Sequence, residues 1–406
     1  MIISLSRVFL YIAFFLLPFT FLRLFNNLTI SDILIIFSFI TIAISNTGKK
    51  FLIETVFLKN IFLLPLLIFS VGFFISLNRS VFPYESITAY LQVVFIFLVA
   101  YPLLVQVVKD EKQINFIAVM LILPGIVISM IMIILKILSI DIGIDLLAYE
   151  GWRGRLTYGG MEPSIPGRII LQNIPLLAVY ALTKKSKKIK MVSVILILIQ
   201  SLAIFLTASR ANFLTFIIGL VLFVIFVIKY ENKIQIRYVV FTLLISILII
   251  TTVYNFDNEF FLRPFERYST ILQIKKSASS LERIKVIDMG FNYINRNPFI
   301  GLGMDNSHLY TKISVHNPVL LTWVENGVFG MIGFTTFYLI LLFQGIKCYN
   351  NKFFGSYLLI GLTIVMVMMV FGDMFMANSY KRVLWLPALL FFVHSRNLSS
   401  NRKDFS

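Results

Sequence analysis

The sequence is poor in groups that bind metals or form cross-links. It has a single cysteine, Cys348, which excludes an intrachain disulfide and a cysteine-based metal site. Three histidines, His308, His316 and His394, leave little for a histidine-rich site, so neither a metal nor a cofactor is expected. Charge is scarce too. Only 14% of the 406 residues are charged against 59% hydrophobic, and the mean hydropathy is +0.90. These values exclude a disordered chain, and a soluble fold of this size could not solvate so apolar a surface. No period of about 20–50 residues repeats, which excludes a solenoid. The first apolar stretch, RVFLYIAFFLLPFTFLRLF, lacks a small-residue cleavage site, so it is expected to remain as a helix rather than act as a signal peptide. Acidic residues number 19 against 36 Lys and Arg, a formal net charge of +17. In a soluble protein that excess would point to nucleic acid. In so apolar a chain the bases must first be placed relative to a membrane, and no nucleic-acid partner is expected.

A helix needs roughly 20 apolar residues to cross a bilayer core. Candidate spans are 8–25, 29–45, 57–77, 86–108, 114–138, 168–183, 191–208, 211–228, 238–254, 317–346, 353–371 and 383–395. The expected fold is therefore all-α: a single polytopic membrane domain over 1–406 with about 12 transmembrane helices. Lys and Arg in short loops set the orientation. Lys49 and Lys50, the run Lys184–Lys190, Lys229, Lys233 and Arg237, Lys347 and Lys352, and the tail bases Arg396, Arg402 and Lys403 all fall on one side if both termini are cytoplasmic. Two longer segments, 139–167 and 255–316, then lie outside. Extracytoplasmic loops of that length usually carry function.

The bases differ by side. Inner ones are mainly lysine and outer ones mainly arginine. Lysine suffices for topology and for contact with anionic lipid. Arginine offers a planar fork that grips phosphate bidentately, so the outer arginines point to an anionic group at the outer surface, such as a lipid diphosphate. The plainer alternative is pairing with outer acids such as Glu150, Glu162, Glu266 and Glu282.

Several constellations stand out. Arg210, in LTASRANFL, falls at the outer junction of two spans, where an ionisable group is functional, paired or snorkelling. The stretch GWRGRLTYGGMEPSIPGR carries Arg153, Arg155 and Arg168, with Arg168 near a helix N-terminus whose dipole favours an anion. Segment 280–297 is expected to be an interfacial amphipathic helix, preceded by a Ser279/Glu282 capping box. Its apolar stripe would be Ile284, Ile287, Phe291 and Ile294, and Arg283 would sit at headgroup height. Next comes PFIGLGMDN, whose Gly301 and Gly303 allow a tight turn, and then HNPVLLTWVENGVFG. His316 can serve as a general base near neutral pH. Glu325, buried in a span, needs a polar partner, with Arg210 and Arg283 as candidates. Trp152, Tyr158, Tyr268 and Trp323 would line a sugar path or anchor the chain at the interface.

In order, the SR-containing helix junction, the R…PFIGLG segment and the HNPVLLTWVENGVFG block resemble the O-antigen ligase/polymerase superfamily, bacterial glycosyltransferases of the GT-C type. The resemblance covers roughly 200–335. It implies transfer of an oligosaccharide from an undecaprenyl-diphosphate carrier at the periplasmic face of the inner membrane, without a metal. Arg210, Arg283 and His316 would be catalytic. Arg267, Arg168, Arg153, Arg155, Glu325 and Asn317 would bind substrate. Flippase and chain-length-regulator proteins are the implied partners, beside membrane lipids. MEPSIPGR has no close equivalent in the family pattern, so Arg168 and Glu162 rest on chemistry alone. Within the family the choice lies between a polymerase, the favoured reading, and a ligase that hands the glycan to lipid A–core. A transporter is the rival class, and a lipid-linked oligosaccharide flippase its nearest form. The loop SNTGKKFLIET lacks the Gly/Asp/Arg motif of the major facilitator layout.

Overall fold

The computed structural model describes residues 2–20, 22–25, 28–44, 52–138, 156–157, 162–230, 258–269, 278–311, 315–350, 357–376 and 381–403. They form a helical bundle. In chain order the helices are α1 (Ile2–Leu16), α2 (Ile30–Ile44), α3 (Leu63–Leu77), α4 (Pro83–Val107), α5 (Glu111–Leu138), α6 (Ser164–Thr183) and α7 (Lys187–Leu206). They continue with α8 (Arg210–Tyr230), α9 (Asn258–Ser269), α10 (Ala278–Arg296), α11 (Ser307–Thr311), α12 (Pro318–Asn350), α13 (Tyr357–Asp373) and α14 (Arg382–Lys403). Among the described residues, five of these (α4, α5, α6, α7 and α12) are long and apolar enough to cross a membrane, and shorter apolar helices accompany them. The stretch 238–254, expected as a span, lies outside the described residues.

Three local departures from the expected spans have physical causes. The first stretch does not continue helical to residue 25. Pro18 lacks a donor and disfavours helix in the residue before it, and α1 stops at Leu16. A two-stranded hairpin follows, Arg23–Phe25 with Leu28–Thr29, the one exception to an all-α fold among the described residues. The third stretch is also broken. A π-helical segment Leu52–Leu58 ends before Asn60, whose side chain donates to the Phe97 carbonyl (2.9 Å) and accepts from the Phe62 N–H (3.0 Å). Finally, α4 contains a π-helical stretch, Phe95–Ala100, just before Pro102.

Thr29 and Asp32 cap α2 reciprocally, the Thr29 N–H donating to Asp32 Oδ2 at 2.8 Å. Arg382 pairs with the other oxygen of Asp32 at 2.8 Å, tying the start of α14 to the start of α2. The core is aromatic. Phe62, Phe97, Tyr101, Phe337, Trp385 and Phe392 pack together, with Phe97 stacked on Phe337 at 4.0 Å. Helices α3 and α12 cross closely because glycines line the contact. A Cβ on Gly72 would overlap the Gly330 backbone, and one on Gly333 would crowd Pro65 and Phe69. Leu64, Phe74 and Phe343 face outward, as lipid-facing residues of a membrane bundle must.

Helix α12 is broken at Gly327, whose φ of 66° favours glycine. An extended segment, Pro298–Gly303, docks against the break. Leu302 and Gly303 N–H groups donate to the Val324 and Glu325 carbonyls, both at 2.9 Å. The Val328 N–H returns a bond to the Pro298 carbonyl at 3.0 Å. The glycines expected to form a tight turn mostly serve this docking. A Cβ on Gly301 would overlap the Glu325 carbonyl, and one on Gly327 the Phe299 carbonyl. Of Gly301 and Gly303, it is Gly303 that has the positive φ, 93°, of a turn residue.

Candidate functional site

The α7–α8 junction builds one wall of the site. α7 ends at Leu206, and Ala208 turns the chain with a φ of 49°, a left-handed conformation costly for a residue with a Cβ. Neighbours fix that strain in place. The Ala208 carbonyl accepts the Arg267 Nε–H at 3.0 Å, and the Phe205 carbonyl accepts the Tyr268 hydroxyl at 2.9 Å. Tyr268 also stacks on Phe213 at 4.5 Å between ring centres. This aromatic is part of the packing that sets α9 on the junction. Arg210 then opens α8, and Arg267 leaves the last turn of α9 beside it.

The opposite wall comes from α10 and the start of α12. α10 buries Val286, Gly290, Tyr293 and Ile294 against Leu320, Leu321 and Val324. The expected stripe therefore divides. Ile294 packs on the protein, Ile287 is partly buried against it, and Ile284 and Phe291 are exposed together with Leu281. Arg283, one and two turns before Val286 and Gly290, is half-buried at the start of the packed face. Asn317 caps α12, accepting the Leu320 N–H at 3.0 Å, with Pro318 in the first helical position. The cap fixes the chain direction just after His316. Trp323, offered by the sequence for a sugar path, donates its Nε1–H to the Pro298 carbonyl at 3.0 Å.

Electrostatics join the two walls. Arg210 feels the charges of Arg267 and Arg283. Burial lowers the Arg283 pKa from its ordinary value, and the Glu162 carboxylate opposes that shift. His316 is pushed down to about 4, chiefly by burial and then by the Arg283 charge, with Glu162 acting the other way. A histidine so placed is neutral at pH 7 and free to accept a proton. Its Nδ1 is buried without a hydrogen-bond partner.

The remaining sequence candidates fall differently. Arg168 is buried in α6, 4% exposed, and forms an ion pair with Asp373 of α13. It also donates to the Met369 carbonyl at 3.2 Å, while the Tyr338 hydroxyl donates to Asp373 at 2.7 Å. Its guanidinium is thus held inside the bundle. Glu325 is buried in α12, and its carbonyl is the one that Gly303 docks on. Arg153 and Arg155, with Trp152 and Tyr158, lie outside the described residues. Glu162, an outer acid that the sequence offered on chemistry alone, acts on Arg283 and His316 here, whereas Asn212 is a member that sequence reasoning did not single out. Asn212 is 1% exposed and donates to the Ser164 carbonyl at 2.8 Å, fastening α8 to the start of α6. An asparagine two residues after Arg210 was the available signal, but a polar residue in the first turn of a helix is too common to stand out. Among the described residues no group of three or more His, Cys, Asp or Glu side chains is placed to hold a metal ion.

No curated protein matches the chain. Members of the O-antigen ligase family are glycosyltransferase-like enzymes, and the family implies lipid-linked glycan substrates and membrane lipids. The segment that supplies Arg210, Arg267, Arg283 and His316 matches that family's model, described as O-Antigen ligase, over residues 194–335, which is consistent with the O-antigen ligase/polymerase superfamily.

Proposed function

We propose that the chain is a multi-pass inner-membrane glycosyltransferase that polymerises undecaprenyl-diphosphate-linked oligosaccharide repeats at the periplasmic face, with both termini cytoplasmic. The observation that carries this reading is the convergence of three guanidinium groups with a neutral, partly buried imidazole. Arginines of like charge repel one another, and such a cluster is the complement of a multiply charged anion. The donor diphosphate is held by Arg210, Arg283 and Arg267. As the glycosidic C–O bond breaks, negative charge grows on the departing diphosphate, and guanidinium groups already in place stabilise it without reorganising. His316 takes the proton of the acceptor hydroxyl. Direct displacement of this kind inverts the anomeric centre. Arg168 has no phosphate role here because Asp373 holds it. Arg153 and Arg155 remain proposed contacts of the glycan, Asn317 sets the position of His316, and Glu325 supports the broken helix from within.

The second reading is an O-antigen ligase, which the description of the matching family favours by name. Both readings use the same donor chemistry and differ in acceptor. Deleting the gene and separating surface polysaccharide on a gel distinguishes them. One repeat on lipid A–core marks a lost polymerase. Bare core with carrier-linked polymer marks a lost ligase. Complementation with His316→Ala or Arg210→Ala at normal abundance should restore nothing. Full-length polymer from either variant overturns the site. A flippase would move lipid-linked oligosaccharide across proteoliposomes without extending it.

A further inference from the structure

The site holds a base with one ring nitrogen unserved. Nδ1 of His316 is buried and lacks a hydrogen-bond partner. A histidine that accepts a proton at Nε2 works best when an acceptor holds its Nδ1–H, fixing the tautomer and stabilising the imidazolium that forms. The charges that act on His316 are those of Arg283 from α10 and Glu162 from the turn preceding α6.

The fold, rather than local sequence, brings Glu162 there. The turn is closed by the Ile165 N–H donating to the Glu162 carbonyl at 2.9 Å. Two residues on, the Ser164 carbonyl is fastened by Asn212, in the helical turn that begins with Arg210. Gly167 lies so close to Asn212 that a Cβ would overlap its side chain. The Leu156 N–H donates to the Leu206 carbonyl at 3.1 Å, docking the preceding chain on the same junction. The Glu162 carboxylate thus stands at the corner where the arginines converge, and its charge acts on both Arg283 and His316.

Building on the diphosphate-transfer reading above, we propose that Glu162 is a positioning residue that changes partner during the reaction. In the empty site it balances Arg283. When the donor diphosphate takes over Arg283, the freed carboxylate accepts a hydrogen bond from Nδ1–H of His316. The acceptor hydroxyl proton then passes to Nε2, and the hydroxyl oxygen bonds the anomeric carbon. The electron pair of the broken C–O bond leaves on the diphosphate. Glu162 stays ionised throughout and holds the imidazolium. Donor binding and base activation are coupled in this way, so the base is oriented only when a donor is present.

The test is imidazole NMR of the full-length protein in lipid nanodiscs, with farnesyl diphosphate as the probe. The His316 signals are identified by their loss in His316→Gln. In the wild type the probe should bring out a downfield Nδ1–H proton of His316. Glu162→Asp, which keeps the carboxylate, should retain that signal, and Glu162→Ala should lose it while its spectrum still responds to the probe. If the signal persists in Glu162→Ala, or is missing from probe-bound wild type, the partner exchange is wrong and the diphosphate site stands. If the wild-type spectrum ignores the probe, both the exchange and the diphosphate site are wrong.

Discussion

Arg168 and Arg283 are both removed from full solvent exposure, and the fold treats them in opposite ways. Arg168 lies inside the bundle against Asp373, with Tyr338 donating to the same carboxylate. Arg283 lies at the corner with Arg210, where burial and the neighbouring arginine make positive charge costly and Glu162 compensates it only in part. A buried ion pair whose members are both hydrogen-bonded is a structural device that tolerates no loss of a partner. A half-buried cluster of like charges lowers stability and persists where an anion repays it. Arginine count alone therefore does not mark a phosphate site. The partner of each guanidinium does.

The contrast can be broken by substitution. The largest effect is expected at the corner. His316→Ala should lower transfer by about 10²- to 10⁴-fold, the usual contribution of a positioned general base, with protein abundance unchanged. Arg283→Ala should also abolish polymer, and Arg283→Lys should fail to rescue it if bidentate contact matters. Both are read from surface polysaccharide on gels against an immunoblot. Next comes the buried pair. Asp373→Ala leaves Arg168 charged and alone, and should cost about 3–5 kcal/mol, seen as a lower unfolding temperature in nanodiscs. Arg210→Ala should leave that temperature unchanged or raise it. Equal destabilisation at both places would erase the distinction.

Acidity sharpens the comparison further. The folded pKa of His316, about 4, lies below the ordinary 6.5, so the unfolded chain binds the proton more readily. Stability contributed by the neutral imidazole is fully present above pH 6.5 and is lost as pH falls toward 4. His316→Gln should make that part of the unfolding-temperature profile shallower. The smallest effect is expected at Asn317. Removing its cap in Asn317→Ala should cost about 1 kcal/mol, a slight drop in unfolding temperature.

Much of the helical fold was legible because hydropathy is a local signal. Helices α2 to α8 and α12 to α14 fall on the expected spans. The hairpin after α1 was hidden in a continuous apolar run, where only Pro18 marked the change. The break in α12 was hidden as well, because Gly327 reads as an ordinary membrane glycine until the docked segment Pro298–Gly303 is seen. Arg210, Arg267, Arg283 and His316 could be singled out because each differs in charge or type from an apolar background. Arg168 stood out in the same way. Asp373, its partner, is about 200 residues away, and no spacing rule links them.

The sequence by itself determined that the chain is helical and built for a membrane, since a run of apolar residues satisfies its backbone internally whatever its neighbours are. It also determined which residue types were available for anion binding and proton transfer. Tertiary structure alone decided which arginines are neutralised and which converge, and that the Glu162 charge reaches His316. Charge interactions depend on distance and burial, and both are set by how segments far apart in the chain pack together.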